Sequence, residues 1–563
     1  MKIFSLTYNE LVKQFKKPSI KIIFALILIS AIILPMAINK IPVDRYSANA
    51  LESHQFMLEQ DKRNAEKYKS DKTQKGQMNY QYALIQVDAE QMFVDYKIGF
   101  DDWRDEVVEY YKTAAYNLAA IEFILDGYEQ NVIMENLQGA DPDVVAKYFD
   151  EKMTLVKKKE IESFYTSEKE RFKNIIDTND YQAYSQERIE KINETIAYHQ
   201  DRIKKYEELK AKDPQTKEGL AELEKLEKEA TISKERIPEF QQDIKVIEFR
   251  VNNKIDYDLN NWKNNSLKTI EKELFELRMN LLTEQEYASQ ATIQGIAMTY
   301  DEYVKNFNDT QAKRVDKIKQ IWYGLENNIP ALDDIRDARS VLDSTYEIYI
   351  ILAVIMVIII SGGIVATEFS KGTIRLLLIR PVSRWKILLS KLLAILVVGF
   401  SIVILGIGIL YVSTGATFGF ETYKTPILET INGTIVHVEF MKYLLPKVLL
   451  SCSSLIFITS LVFMISTLAK NTALAVAISM VLYLGCAPAT NLLVSMSQTW
   501  IVNTLIPYIN ASYLRLIPTA EQILAQNFGM TLNFQGGAIQ LLIASAVMLI
   551  LTFVIFIKKD IKN

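Results

Sequence analysis

Six stretches of this chain are apolar over about 20 residues each, and this length restricts the fold more than any other feature. An α-helix rises about 1.5 Å per residue, so about 20 apolar residues cross the roughly 30 Å hydrocarbon layer of a membrane. A backbone inside that layer must satisfy its own hydrogen bonds, which predicts six spanning helices. The stretches are residues 20–38, 346–365, 392–412, 448–468, 472–493 and 538–557.

The first stretch has an alternative interpretation as a cleaved signal peptide. Its apolar run is long for a signal peptide, and no small-residue cleavage motif is evident after it. We therefore expect residues 1–39 to contain a spanning helix, preceded by an amphipathic helix over residues 1–19. In that helix, lysines interleave with apolar residues at helical spacing, which is typical of a helix lying along a membrane surface.

Basic residues set the predicted orientation. The stretch 366–391 concentrates six of them around a single acid, Glu368, and short loops rich in Lys and Arg stay on the cytoplasmic side of a membrane. About 15 of the 19 Lys and Arg residues outside residues 40–345 fall on the side that this loop defines as cytoplasmic. The sequence therefore predicts a multi-pass protein of the cell membrane, with both termini cytoplasmic and residues 40–345 extracellular.

The inserted residues 40–345 differ from the rest of the chain in charge. They carry 60 Asp and Glu against 45 Lys and Arg, whereas the remainder has an excess of basic residues. Apolar residues recur at intervals of three and four residues, and Gly and Pro are scarce, which predicts an almost wholly helical domain. Within it, two heptad-like stripes flank Pro214 and predict a coiled-coil hairpin over about residues 185–255.

The third predicted part is residues 346–563, with five spans. Residues 494–537, between the last two spans, are too apolar for an ordinary exposed loop, which suggests a segment half-inserted from the outside. A folded extracellular cap is the alternative. The fold class is therefore an all-α membrane protein with six spans and a large extracellular helical domain between spans one and two.

Sequence motifs for chemistry are missing. The chain has no Gly-Lys dipeptide and hence no phosphate-binding loop, and it lacks the HExxH, GxSxG and CxxC patterns. Acidic residues are nearly absent from the predicted spans, with Glu347 at an outer end, so ion coupling has few candidate groups. We expect a protein that is not itself an enzyme and has no catalytic, metal or cofactor residues, with its energy supplied by another subunit.

The arrangement resembles the permease subunits of type-2 ATP-binding-cassette exporters. The resemblance rests on the N-terminal amphipathic helix, the six spans, a Glu-x-x-x-Gly-Thr element at Glu368, a following run from Arg380 to Arg384, and a short turn at residues 470–471. It covers the two membrane parts, under half of the chain. The large insertion departs from simple members of that family and is closer in layout to Gram-positive permeases with extracellular domains.

The resemblance implies that residues 366–391 form a coupling helix seated in a separate ATPase subunit. The residues implied in this ATPase contact are Glu368, Lys371, Gly372, Thr373, Arg375, Arg380, Pro381 and Arg384, with Lys470 and Asn471 as a minor cytoplasmic loop. Anchoring of the three arginines to anionic lipid is the alternative. ATP and Mg²⁺ would be bound by the ATPase and not by this chain.

Three functions follow as hypotheses. The first is a permease that exports an amphipathic or lipid-like substrate or an antimicrobial peptide, working with a cytosolic ATPase and with a second copy or a related permease. The second is a mechanotransmitting subunit that moves its extracellular domain against a peptide, protein or cell-wall partner. The third is a surface receptor or scaffold without an ATPase. Membrane lipids are expected to contact the spans, and no nucleic-acid partner is predicted.

Overall fold

The computed structural model describes residues 2–42, 47–99, 102–136, 138–149, 153–294, 296, 298–373, 382–431 and 433–558. The chain divides into two compact units. Residues 42–274 form one, called here the inserted unit, and residues 1–41 and 275–563 form the other, called here the membrane unit. The expected domain boundary at residue 345 differs from this division, which places about 70 further residues, 275–345, in the membrane unit.

All regular secondary structure in the described residues of the inserted unit is helical. Helices α3 and α4 pack together, as do α5 and α8. One apolar core, which includes Trp103, is formed mainly by α4, α5 and α8, and a second, which includes Tyr82, is formed mainly by α4 and α5. Its helices are α3 (Ser47–Tyr68), α4 (Gln74–Asp95), α5 (Trp103–Leu125), α6 (Gln130–Asn136), α7 (Pro142–Tyr148), α8 (Leu155–Thr178), α9 (Tyr181–Ala211), α10 (Lys217–Asn252) and most of α11 (Trp262–Leu277).

Helices α9 and α10 pack against each other over the region where the sequence predicts a helical hairpin. Arg202 on α9 forms an ion pair with Glu229 on α10 at 2.6 Å, and His199 Nδ1 lies 3.0 Å from Ser233 Oγ. A turn containing Pro214 joins the helices, because proline lacks the backbone N–H that a continuing helix needs.

Within its described residues, the membrane unit contains six helices that are long and apolar enough to cross a membrane, which confirms the six predicted spans as helices. They are α2 (Pro18–Lys40), α14 (Ala338–Ile364) continued by α15 (Ala366–Ser370), α16 (Arg384–Phe418), α17 (Phe440–Ala469), α18 (Thr472–Ser495) and α22 (Phe534–Lys558). Helices α14 and α17 are central, with 67% of their most apolar windows buried, against 17% for α2.

The remaining elements of this unit are shorter or more polar. They are α1 (Lys2–Phe15), α12 (Glu284–Gln294), α13 (Tyr300–Glu326), β1 (Ile427–Ile431), β2 (Thr434–Val438), α19 (Ile506–Ile509), α20 (Ala511–Leu516) and α21 (Thr519–Phe528), with 3-10 turns at residues 332–334, 420–424 and 499–503.

The second spanning helix begins earlier than the hydropathy predicts. Asp337 caps α14 by accepting the backbone N–H of Ser340 at 2.9 Å, and its carboxylate also holds the buried Arg339 at 2.7 Å. Helix α14 therefore starts eight residues before the apolar run at residue 346. Hydropathy detects only the apolar part of a helix, so this polar first section escaped it.

A small β-hairpin accompanies the helices. Strands β1 and β2 are antiparallel, with Ile427 opposite Val438. Helix α13 is attached to this hairpin, because the Gln320 side chain donates to the Leu428 carbonyl and His437 Nε2 lies 3.1 Å from the Tyr323 hydroxyl. These contacts explain why α13, although polar, belongs to the membrane unit.

Candidate coupling site

Helix α1 brings both acidic and basic side chains to the end of the second span. Its apolar residues, among them Leu11 and Phe15, pack on the core of the membrane unit, and the helix lies along α16. The spacing of these residues leaves Glu10 and Lys13 available for polar contacts near residue 368, because positions three apart share one helix face.

Glu368 is the acid that these residues meet. It lies in the short helix α15 and is 5% exposed. Its carboxylate accepts hydrogen bonds from the Lys13 ammonium and from the Thr373 hydroxyl. Lys391 of α16 adds a second cation, with its Nζ atom 3.6 Å from Glu368 Oε1. The Glu368 carboxylate is therefore held by contacts inside the protein.

Lys391 joins the same cluster to helix α1. Its side chain is 2% exposed, and its ammonium donates to Glu10 Oε1 at 2.9 Å. Glu10, Lys13, Glu368 and Lys391 thus form a cluster of two acids and two bases, called here the four-charge cluster. A buried charge is tolerated only when it is paired, so this balance fixes α1, α15 and α16 relative to one another.

The turn that follows Glu368 is the exposed part of this region. Lys371 and Gly372 are exposed, and Gly372 has a φ of 68°, a left-handed conformation that glycine adopts without the strain of a Cβ atom. Thr373 is half-buried through its bond to Glu368. Arg375, Arg380 and Pro381, which the sequence also predicts as coupling residues, lie outside the described residues.

Arg384 is described and lies at the first position of α16. It is half-buried, and its Nη1 atom is 3.4 Å from the Ile557 carbonyl at the end of α22. This contact brings the start of the third span to the end of the sixth.

The second predicted loop, Lys470 and Asn471, lies beside the first. The Lys470 ammonium is 4.8 Å from the centre of the Phe369 ring, a cation–π distance. Asn471 caps α18 by accepting the Leu474 N–H at 3.1 Å. The structure therefore brings together Lys470 and the loop that follows the second span, although about 100 residues separate them.

A buried hydroxyl fixes the same junction. Ser466 of α17 accepts the Ala366 backbone N–H at 3.2 Å and donates to the Gly362 carbonyl at 2.8 Å. It thereby satisfies backbone groups at the break between α14 and α15, where the helical ladder is interrupted. This contact holds together the end of α14 and the start of α15, the short helix that precedes the exposed turn.

Positive charge accumulates on the exposed side of this region. Burial lowers the pKa of Lys17, and repulsion from Lys13 and Lys371 lowers it further, while Glu10 acts in the opposite direction. Lys13, Lys17 and Lys371 therefore lie close enough to repel one another. An acidic partner surface would complement this positive charge.

A second polar cluster lies elsewhere in the membrane unit, where the sequence predicts almost no charge. Glu347 of α14 is 2% exposed and binds the guanidinium of Arg515, which α20 supplies. Ser451 donates to the same carboxylate at 2.9 Å and the Tyr346 hydroxyl donates at 2.7 Å. These contacts tie the segment between α18 and α22 to the two central helices.

Sequence reasoning placed Lys391 in the basic stretch around Glu368 but missed its pairing with Glu10, and it missed Glu10 and Lys13 as members of the site. Lys13 was expected to reach lipid headgroups, whereas it contacts Glu368. One pattern could have indicated the cluster: Lys391 directly precedes the apolar residues of the third span, where a charge requires a partner. Glu10 is the only acid in the N-terminal helix and is the natural candidate for that partner.

The fold and the site define a multi-pass helical membrane protein whose N-terminal helix is fixed by paired charges, three of the four largely buried, to the end of its second span and to its third span. The chain belongs to the ABC-2 family of transporter proteins, because the model of the family described as "ABC-2 family transporter protein" matches residues 5–561. Members are the membrane components of ABC transporters and work with an ATP-binding-cassette ATPase.

Two relatives come from Bacillus subtilis (strain 168). The uncharacterized protein YhcI is 31% identical over 248 residues, which cover 43% of this chain and 74% of YhcI. The uncharacterized membrane protein YdbK is 31% identical over 156 residues, which cover 27% of this chain and 56% of YdbK. No solved structure matches the chain.

Proposed function

We propose that this chain is an exporter permease in which residues 366–391 receive the movement of a separate ATPase. The observation that carries the proposal is the four-charge cluster. It fixes the N-terminal helix, the exposed Lys371–Gly372 turn and the third span as one body, so a displacement of the turn would move three elements together. Glu368 acts as a positioning residue in this scheme, and Lys371 and Gly372 face the ATPase.

The proposed topology places this turn and both termini in the cytoplasm, and the inserted unit outside the cell. Two copies, or one copy with a related permease, would line a path between spans. The apolar helices favour an amphipathic or lipid-like substrate or an antimicrobial peptide, since α14 and α17 present mainly apolar side chains. ATP and Mg²⁺ would bind to the ATPase alone.

Co-purification with the ATPase encoded beside this chain tests the coupling role. We expect Lys371→Glu to reduce assembly, because it reverses a charge at the exposed turn. Glu368→Ala should leave the ATPase bound but lower its hydrolysis rate, because the turn loses its internal support. Lys424→Glu is the control: this lysine is 77% exposed and, among the residues that the structure describes, forms an ion pair with the neighbouring Glu421 at 2.7 Å. Normal assembly and hydrolysis in both test variants would contradict the assignment.

Cysteine labelling tests the topology. Cys452 and Cys486 are buried, so Gly372→Cys can be introduced after both are replaced by alanine. A membrane-impermeant maleimide should label position 372 only in inside-out vesicles. Labelling from the exterior of intact cells would place the turn on the wrong side and remove the basis of the coupling proposal.

The compact inserted unit favours a second candidate function, mechanotransmission. Residues 42–274 have two apolar cores of their own, which is more than a passive loop requires. In this alternative, movement of the spans is passed to an envelope partner. Deleting residues 50–270 separates the two functions: retained substrate efflux would favour the exporter, and loss of function with intact ATP hydrolysis would favour mechanotransmission.

A further inference from the structure

A polar cavity of about 470 Å³ lies within the inserted unit, between α3, α4 and α5. Polar side chains at helical spacing face it from each helix, and Asn64 and Glu109 at its wall are exposed to solvent. The volume is within the range of ordinary ligand sites, about 300–1,000 Å³. The wall of the cavity includes Asp61, Tyr68, Asn79, Tyr82, Glu109 and Tyr116.

Two polar atoms of this wall lack partners among the described residues. Tyr82 is 2% exposed, and its hydroxyl has no hydrogen-bond partner there, although the Gln138 backbone is close enough to lower its pKa against the larger effect of burial. The Asn79 side-chain oxygen, three residues earlier on the same face of α4, is also buried and without a partner among the described residues. Buried polar groups are almost always paired, so a ligand or water is expected to satisfy these two.

The charges of the wall do not cancel. Glu109 pairs with Lys112 at 2.8 Å, so these two charges offset each other. Asp61 remains as an additional acid, and burial raises its pKa more than Asn64 and Lys112 lower it. A cation bound in the cavity would compensate this carboxylate. The surrounding unit also attracts cations, since residues 42–274 carry 48 Asp and Glu against 36 Lys and Arg.

The chemistry of the wall points to one class of ligand. Ammonium and guanidinium groups donate hydrogen bonds and accept none, which suits the Asp61 carboxylate and the Asn79 oxygen. The rings of Tyr68, Tyr82 and Tyr116 also line the cavity, and aromatic rings attract such cations. A neutral sugar could use the amides but would leave Asp61 uncompensated.

We propose that this cavity binds the ammonium or guanidinium group of a basic peptide. The site lies wholly within the inserted unit, so it does not depend on how the membrane unit is coupled to an ATPase. It gives the insertion a recognition role that neither the family assignment nor the spanning helices imply.

Calorimetric titration of the full-length protein in detergent micelles tests the proposal. The probe is acetyl-Lys-Lys-Lys-amide, compared with acetyl-Gln-Gln-Gln-amide and with an N-acetylglucosamine trimer, at about 150 mM salt to screen long-range attraction. We expect the lysine peptide alone to bind. Asp61→Asn should weaken it about tenfold or more, and Tyr82→Phe, which keeps the ring, should weaken it less.

Glu66→Gln is the matched control, because it removes the same charge from the same helix. The Glu66 side chain is 72% exposed and pairs with Lys69 at 3.1 Å, and it does not line the cavity. This variant should bind the peptide as tightly as the natural protein. The proposal is overturned if the natural protein does not bind the lysine peptide, if Glu66→Gln weakens binding as much as Asp61→Asn, or if only the sugar binds.

Discussion

Replacing Lys391 tests the four-charge cluster most directly. Lys391→Met keeps the length of the side chain and removes an ammonium that is 2% exposed. Glu10, 13% exposed, then loses the partner that lies at 2.9 Å, and Glu368 loses a cation at 3.6 Å. Removing one partner of a buried ion pair costs about 3–5 kcal/mol. Because Lys13 still contacts Glu368, we expect the lower end, a fall of about 3 kcal/mol in the free energy of unfolding.

The double variant Glu10→Gln with Lys391→Met removes one acid and one base together. It should recover about 2 kcal/mol of the loss, since no uncompensated carboxylate remains. Unfolding in mixed micelles, followed by circular dichroism, measures both values. Lys386→Met, five residues earlier on α16, is the control and should change stability by about 0.5 kcal/mol or less. A loss under about 1 kcal/mol in the single variant, or no recovery in the double variant, would refute the reasoning.

Two further predictions concern the second polar cluster and the inserted unit. Arg515→Met leaves the buried Glu347 carboxylate without its cation, so hydrogen exchange over residues 496–533 should accelerate. Adding Glu347→Gln should slow the exchange again. Unchanged exchange in Arg515→Met would show that the pair does not hold the segment. Asp105 has a pKa raised by burial and by repulsion from Glu109, so its ionised form destabilises the folded state and stability falls as pH rises through that pKa. Asp105→Asn should therefore slow exchange in α5 at pH 7. The difference should shrink as the pH falls through the raised pKa and vanish below the usual value of about 3.9, where the carboxyl is protonated in both the folded and the unfolded chain. Faster exchange in the variant at pH 7 would contradict this sign.

The six spans could be predicted because each is a local property of the sequence. Twenty apolar residues must form a helix in a membrane wherever they lie in the chain, so no tertiary information is needed. The helical character of the insertion follows in the same way from apolar residues spaced three and four positions apart. The β-hairpin was missed although Asn432-Gly433 is a sequence pattern typical of a hairpin turn, because hydropathy analysis does not detect strands of five residues.

The candidate site was only partly predictable. Glu368, Lys371 and Gly372 are predicted as coupling residues from a motif within one short loop, whereas the partners of Glu368 are distant in sequence. Lys13 precedes it by 355 residues, and no local pattern connects the two. The Glu347 and Arg515 pair is separated by 168 residues and was missed for the same reason.

The sequence by itself determined which segments are spanning helices, which part is polar, and where basic residues gather, because hydropathy and charge act over a few turns of helix. Only the tertiary structure decided that α13 packs with the membrane unit, that Glu368 faces inward, and that a polar cavity opens between three helices of the insertion. Pairing of buried charges depends on which distant helices meet. The packing of whole helix faces determines which helices meet, and no short stretch of sequence contains that information.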